Sequence, residues 1–408
     1  MKRYIEAWIK DWMLIFSREL RHIFSDGGVM VIFFLAGLVY PLLYGIIYHN
    51  GTVDDMPVAV IDASGSAAGR EFIRKLDATR ELAVTRSCHA MAEAEKLMQE
   101  REVHGIVLIP EDFDLCLAEG RQAHVSTYAD MSSFLYYKNL SMGVNNVMLD
   151  SMREMSPLPQ PVLYEASMPY NRTFSYTLFF LSAVLLIVIQ QTMFYGISML
   201  TGTMREENRS FAVLSDTLKG RGISRTVMGR GAAYWLLYMA IGIYVAVIVP
   251  AVVGLPRNCS FGSIIVLLLF YVTACTVFSF TFSSFVRHRE TVFVLFLFMS
   301  PVCLFLTGFA WPQSNFPRVW EAFSWIFPST FAVRAFINMN TAGASLGMAG
   351  SQIAALSVQI IVYYFLSCTA VFIELLPSRS LSSARQTGLS AATGSSASNC
   401  RKWRIFFR

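Results

Sequence analysis

Arg205, Glu206, Glu207 and Arg209 fall within five residues of one another in TGTMREENRSFAVLSD (201–216), between two long apolar runs. Acids and arginines interleaved on one short segment suit electrostatic docking against a complementary surface. Other residues that could do chemistry are sparse. No Cys or His spacing matches a metal site, and for an integral membrane enzyme the short loops offer only His288 and Glu290 beside Arg287 and Arg289. IDASGSAAG (61–69) places small residues after an apolar run, as a phosphate loop would, but both G-x-x-x-x-G-K-[ST] and G-x-G-x-x-G are missing. A turn followed by a helix capped at Ser64 or Ser66 accounts for that stretch. ATP hydrolysis by this chain itself is not expected, nor is a directly bound cofactor or metal.

The elements that carry the charged stretch are membrane helices. The chain is 54% hydrophobic and 15% charged, well below the charge content of about 25% usual for soluble domains. A helix rising about 1.5 Å per residue needs about 20 apolar residues to cross a hydrocarbon core. Six runs reach that length, at 29–48, 177–200, 232–255, 264–286, 291–311 and 353–376, and apart from Glu374 they contain no Lys, Arg, Asp or Glu. The expected fold is therefore an α-helical polytopic membrane protein with six transmembrane helices and an inserted extracytoplasmic α/β domain. An ion-coupled pump would carry charges inside its spans, so the energy for any transport enters from elsewhere.

Basic residues set the orientation. Lys2, Arg3, Lys10, Arg18 and Arg21 precede the first span; Arg205, Arg209, Lys219, Arg221, Arg225 and Arg230 lie between the second and third; Arg287 and Arg289 follow the fourth. The opposite short loops carry only Arg257, Arg318 and Arg334. The positive-inside rule then places both termini and the 201–231 loop in the cytoplasm. The first apolar run lacks a cleavage site and reads as an uncleaved anchor.

Residues 1–27 form an amphipathic interface helix, with Ile5, Trp8, Ile9, Trp12, Phe16, Leu20, Ile23 and Phe24 on one side and Glu6, Lys10, Ser17 and Arg21 on the other, suited to the lipid headgroup layer. Its role is either that of a surface anchor or that of a moving part. The first span occupies 28–49. Residues 50–172 alternate β-rich runs (57–62, 82–86, 104–110, 124–130) with helical stretches, an α/β domain with a partly parallel sheet. Cys88 and Cys116 both lie in it and could pair. Residues 173–376 hold spans two to six, with the cytoplasmic loop 201–231, where a short helix is expected from Glu206 to Leu218, and a Pro- and aromatic-rich hairpin at 312–345 that is re-entrant on the extracytoplasmic side. The tail, 377–408, is disordered by composition.

These features together resemble the permease subunits of type-2 ABC exporters, in the branch with a large extracytoplasmic domain after the first span. The resemblance rests on the N-terminal amphipathic helix, the inserted domain opening on VAVID with a later GIVLIPEDF, R-E-E-N-R-S-F-A-V-L ahead of G-R-G before span three, and the broken hairpin before span six. It implies a bacterial inner-membrane protein that pairs with a second permease, identical or sister, and is driven by separate ABC ATP-binding subunits that hold ATP and Mg. A periplasmic adaptor protein is a further implied partner; nucleic acid is not. The resemblance assigns coupling to the ATPase to Arg205, Glu206, Glu207, Arg209, Ser210, Phe211 and Leu214, and a lever role to the interface helix through Trp8, Trp12, Phe16, Arg18 and Arg21. Gln190 and Gln191, polar and mid-span, either line a translocation path or bond neighbouring helices. The uncharged spans point to amphiphilic or hydrophobic cargo. The alternative is an ATP-independent scaffold or receptor that displays the α/β domain.

Overall fold

The computed structural model describes residues 2–47, 53–155, 176–207, 223–254, 257–309, 311, 313–341 and 343–386. It divides into two units: residues 1–49 with 175–408, and residues 50–174.

In the first unit, α1 (Lys2–Ser25) is followed by α2 (Gly27–Ile47), capped by Asp26, whose carboxylate accepts from the Gly28 and Val29 amides. The unit continues with α7 (Tyr176–Glu206), α8 (Ile223–Val252), α9 (Phe261–Ser283), α10 (Thr291–Leu306), the short α11 (Arg318–Ser324), α12 (Pro328–Thr341) and α13 (Gly350–Gln386). Five of these helices, α2, α7, α8, α9 and α13, are long and apolar enough to cross a membrane. The fifth of the six expected spans is α10, which has 16 residues and Pro301 inside it. At about 1.5 Å per residue it is roughly 24 Å long, shorter than a hydrocarbon core. The third expected span begins earlier than its apolar run, at Ile223, so Arg225 and Arg230 lie on the helix. The last helix passes the expected boundary at 376 and continues to Gln386.

α7 is the enclosed centre of the bundle: Leu181, Ile189, Met193 and Ile197 are fully buried, and it packs on α2, α9, α10 and α12. The hairpin is broken, as its prolines dictate. The break between α11 and α12 is satisfied by side chains from neighbouring helices. Gln359 Nε2 donates to Trp325 O and Tyr363 OH to Ile326 O, both at 2.6 Å, while Ser329 N donates to Gln190 Oε1 at 2.6 Å. Irregular backbone in apolar surroundings requires such partners.

In the second unit, β1 (Met56–Asp62), α3 (Ala67–Asp77), β2 (Leu82–Cys88), α4 (Met91–Gln99), β3 (Gly105–Ile109), α5 (Phe113–Ala118), β4 (Ser126–Ala129) and α6 (Phe134–Met155) follow in order. The sheet order is β2-β1-β3-β4, parallel except for β4. Central β1 is covered on both faces: Val58 and Val60 pack with Phe72, Leu76 and Leu140, Ala59 and Ile61 with Ala94 and Val103. Ser66 caps α3 by accepting from Gly69 N. Cys88 and Cys116 are both buried free thiols, not a disulfide.

Candidate coupling site

The charged residues of the first unit gather at one end of the bundle. α1 lies against α8, and Gly229 permits the close approach, since a Cβ there would sit 3.0 Å from Ile15 Cγ2. The side of α1 turned to the protein carries Trp8, Trp12, Ile15, Phe16, Glu19 and Ile23. Ile9, Met13 and Phe24 form an exposed apolar flank, so the single apolar face expected from periodicity is two adjacent strips. Trp12 and Phe16 stack at 5.5 Å, and Arg18 and Arg21 are exposed.

Within the protein-facing strip Glu19 meets Arg230 at 2.8 Å, with both side chains 5% exposed. Tyr234 OH donates to the same Glu19 oxygen at 2.8 Å, and the Arg230 guanidinium lies over the Phe280 ring at 5.3 Å. Nearby, Arg225 donates to Asp11 at 2.9 Å. α8 therefore carries buried charge, and it does so because α1 supplies the counter-ions. Removing one member of such a pair costs about 3–5 kcal/mol, because the other charge stays buried.

A second set of contacts surrounds the turn between α9 and α10. The Arg289 guanidinium donates to both Asp26 oxygens at 2.9 Å and to Thr203 Oγ1 at 2.9 Å, and its backbone N–H donates to Glu206 Oε1 at 2.9 Å. Arg205 donates to the carbonyls of Ser284, at 2.9 Å, and Val286. Burial raises the Asp26 pKa, but the hydrogen bonds from Arg289 and from the Val29 and Gly28 amides outweigh it, and the carboxyl sits below the usual aspartate range. Arg205 and Arg230 line one cavity with Thr201, Thr226, Ser283 and Ser367, which brings the two sets of contacts side by side.

Of the residues read as coupling groups, Arg205 and Glu206 form the last turn of α7 rather than the start of a separate helix, and both bind the 284–290 turn. Glu207 is exposed just beyond. Arg209, Ser210, Phe211 and Leu214, with the helix expected up to Leu218, lie outside the described residues. Gln190 and Gln191 are buried. Gln190 is 1% exposed and holds Ser329 N, while Gln191 Oε1 accepts from Tyr195 OH at 2.5 Å. Sequence reasoning missed Asp11, Glu19 and Asp26, and took Arg289 for a topology signal only. The signal for Glu19 was present, since it falls in the arc of Trp8, Trp12, Ile15 and Ile23; Asp11 sits beyond one edge of that arc. Among the described residues no group of His, Cys, Asp and Glu is placed to hold a metal ion.

A family model described as ABC-2 family transporter protein matches residues 28–369. No curated protein matches the chain.

Proposed function

The chain belongs to the ABC-2 family of transporter proteins, multi-pass membrane components that work with an ATP-binding subunit, and from that premise we propose that it is the permease of an exporter moving amphiphilic or hydrophobic cargo out of a bacterial cytoplasm. In this reading α10 completes six crossings, both termini are cytoplasmic, and residues 53–155 form an extracytoplasmic α/β domain. Two such permeases, identical or sister, assemble with two ATP-binding subunits, and a periplasmic adaptor is a further partner. The ATP-binding subunits press on residues 205–214 and on α1. The exposed flank of Ile9, Met13 and Phe24 rests in the headgroup layer.

The observation that carries this reading is the buried Glu19–Arg230 pair. α1 runs alongside the first turns of α8, with Asp11 on Arg225 and Glu19 on Arg230, and the pairs make the two helices one body. A push on either reaches the spans. Changing a transporter from 1:99 to 99:1 open takes about 5.5 kcal/mol of differential binding, which ATP binding and hydrolysis on the partner can supply.

A tagged chain purified in mild detergent should bring an ATP-binding subunit with it, and proteoliposomes should show ATP-dependent efflux only when both are present. Efflux by the chain alone would overturn the proposal. Replacing Glu206 and Glu207 by Lys should uncouple hydrolysis from efflux while membrane insertion stays normal; unchanged efflux in that double variant would remove the coupling role from this pair.

A further inference from the structure

The turn between α9 and α10 is held from two sides by contacts of different kinds. On the α7 side the fit is backbone against backbone. A Cβ at Gly202 would lie 3.0 Å from both the N and the Cα of Arg289 and 3.2 Å from the carbonyl carbon of His288, atoms that cannot swing away. Glu206 and Arg205 add bonds to the backbone of the same turn, and Val286 is fully buried at its centre. On the α2 side the only ion pair between the turn and the start of the helix, among the described residues, is the Arg289 fork on Asp26. The fork passes over Gly28, where a Cβ would run into both Arg289 Nη2 and Met199 Cε of α7. Asp26 is also the N-cap of α2, so the carboxylate that Arg289 grips fixes the first turn of that helix.

From this juxtaposition of Arg289 with Asp26, Gly28, Thr203 and Gly202 we infer that Arg289 is a positioning residue that makes α2 follow the end of α7. The inference rests on the coupling role proposed for residues 205–214. Force delivered to the end of α7 reaches the 284–290 turn through rigid backbone contact; it reaches α2 through apolar packing, in which Met199 meets Gly28 and Phe33 meets Gly196, and through one directional polar link, the Arg289 guanidinium. A two-toothed, charge-assisted bond suits that task, because it fixes direction as well as distance. Lysine would keep the charge and lose the fork.

Two measurements test this on the full chain. In the complex with its ATP-binding subunit, trapping with ATP and vanadate should change hydrogen exchange at residues 27–30 and 203–207 together in the wild type. Arg289→Gln should keep the response at 203–207 and lose it at 27–30, transport per ATP hydrolysed should fall about tenfold, and Arg289→Lys should recover part of both. A response at 27–30 that survives Arg289→Gln overturns the inference. The second measurement needs no nucleotide. The midpoint losses in thermal unfolding of Asp26→Asn and Arg289→Gln should not add, the double variant matching Arg289→Gln alone, because both remove one link; additive losses overturn the inference. A wild type that does not respond to ATP at either segment counts against the permease reading instead, and the unfolding cycle then decides the link by itself.

Discussion

The two units use ion pairs in opposite ways. In the α/β unit, Arg74–Glu71, Arg80–Asp54 and Arg86–Glu102 are exposed pairs on the surface, Arg86 and Glu102 with side chains 57% and 47% accessible. In the membrane unit, Glu19–Arg230 is closed off from solvent, and Asp26–Arg289 joins elements more than 260 residues apart in sequence. Exposed pairs are screened and contribute at most about 1 kcal/mol, whereas breaking a buried pair costs several. The ion pair most withdrawn from water among the described residues ties helices across the bundle, whereas the least exposed pair of the α/β unit, His104–Asp130, keeps both side chains 18% accessible. Glu19→Gln tests the comparison most severely. It leaves Arg230 buried without its counter-ion and should lower stability by about 3–5 kcal/mol, read by thermal unfolding in detergent. The double variant Glu19→Leu with Arg230→Met should recover most of that loss. A single Glu19→Gln that unfolds like the wild type would place this pair with the surface ones.

The neutral counterpart of that buried link is Gln190. Its Oε1 takes the Ser329 N–H at the start of α12, where the hairpin backbone has no helical partner. Gln190→Leu should cost about 1–3 kcal/mol through the orphaned amide, again read by unfolding. Gln190→Glu retains the acceptor but brings a charge into apolar surroundings, and should be the worse of the two. If both substitutions are silent at this site, buried polar contacts matter less here than buried charge.

How much of this was legible follows from the range of each signal. The apolar runs declared α2, α7, α8, α9 and α13, and the β-rich runs at 57–62, 82–86, 104–110 and 124–130 fall on β1 to β4. Both are local patterns. The charged residues at 205–207 were conspicuous for the same reason, but their partners at 284–289 lie about 80 residues away and carry no pattern that points back. Arg230 read as a topology signal because hydropathy stops a span at a charge. The helix runs on through it once Glu19 neutralises it, and only tertiary contact reveals that. α10 came out short because its apolar run continues past the helix end into Gly308 at positive φ, a turn that hydropathy does not see.

Titration separates the units more gently. Asp26 and Asp130 both sit below the usual aspartate value, near 3.9 in unfolded chains, for different reasons. Asp26 is raised by burial and then lowered further by Arg289 and by the amides of its own cap. Asp130 is lowered chiefly by the Ser132 amide and hydroxyl, with His104 contributing less. A carboxyl depressed on folding contributes stability that is present above its unfolded pKa and lost as pH falls through its folded one. Both contributions should therefore be intact at neutral pH and fade only in acid below the ordinary aspartate range. Carboxyl-carbon NMR of selectively labelled protein should show Arg289→Gln moving the Asp26 midpoint upward and leaving that of Asp130 in place. Movement of both would deny that the two carboxyls answer to separate environments.

The smallest effect expected is also the control for the rest. Arg86→Ala removes the 3.3 Å contact with Glu102 on the surface of the α/β unit, where water replaces what is lost. Its cost should fall within about 0.2–1 kcal/mol and shrink as salt is raised to 1 M, where the screening length drops to about 3 Å. Glu19→Gln should keep its full effect in the same salt, because ions do not reach a pair sealed between α1, α8 and the Phe280 ring. Equal salt sensitivity at the two sites would mean that water reaches Glu19, and α1 would then be a helix resting on the bundle rather than one bolted to it.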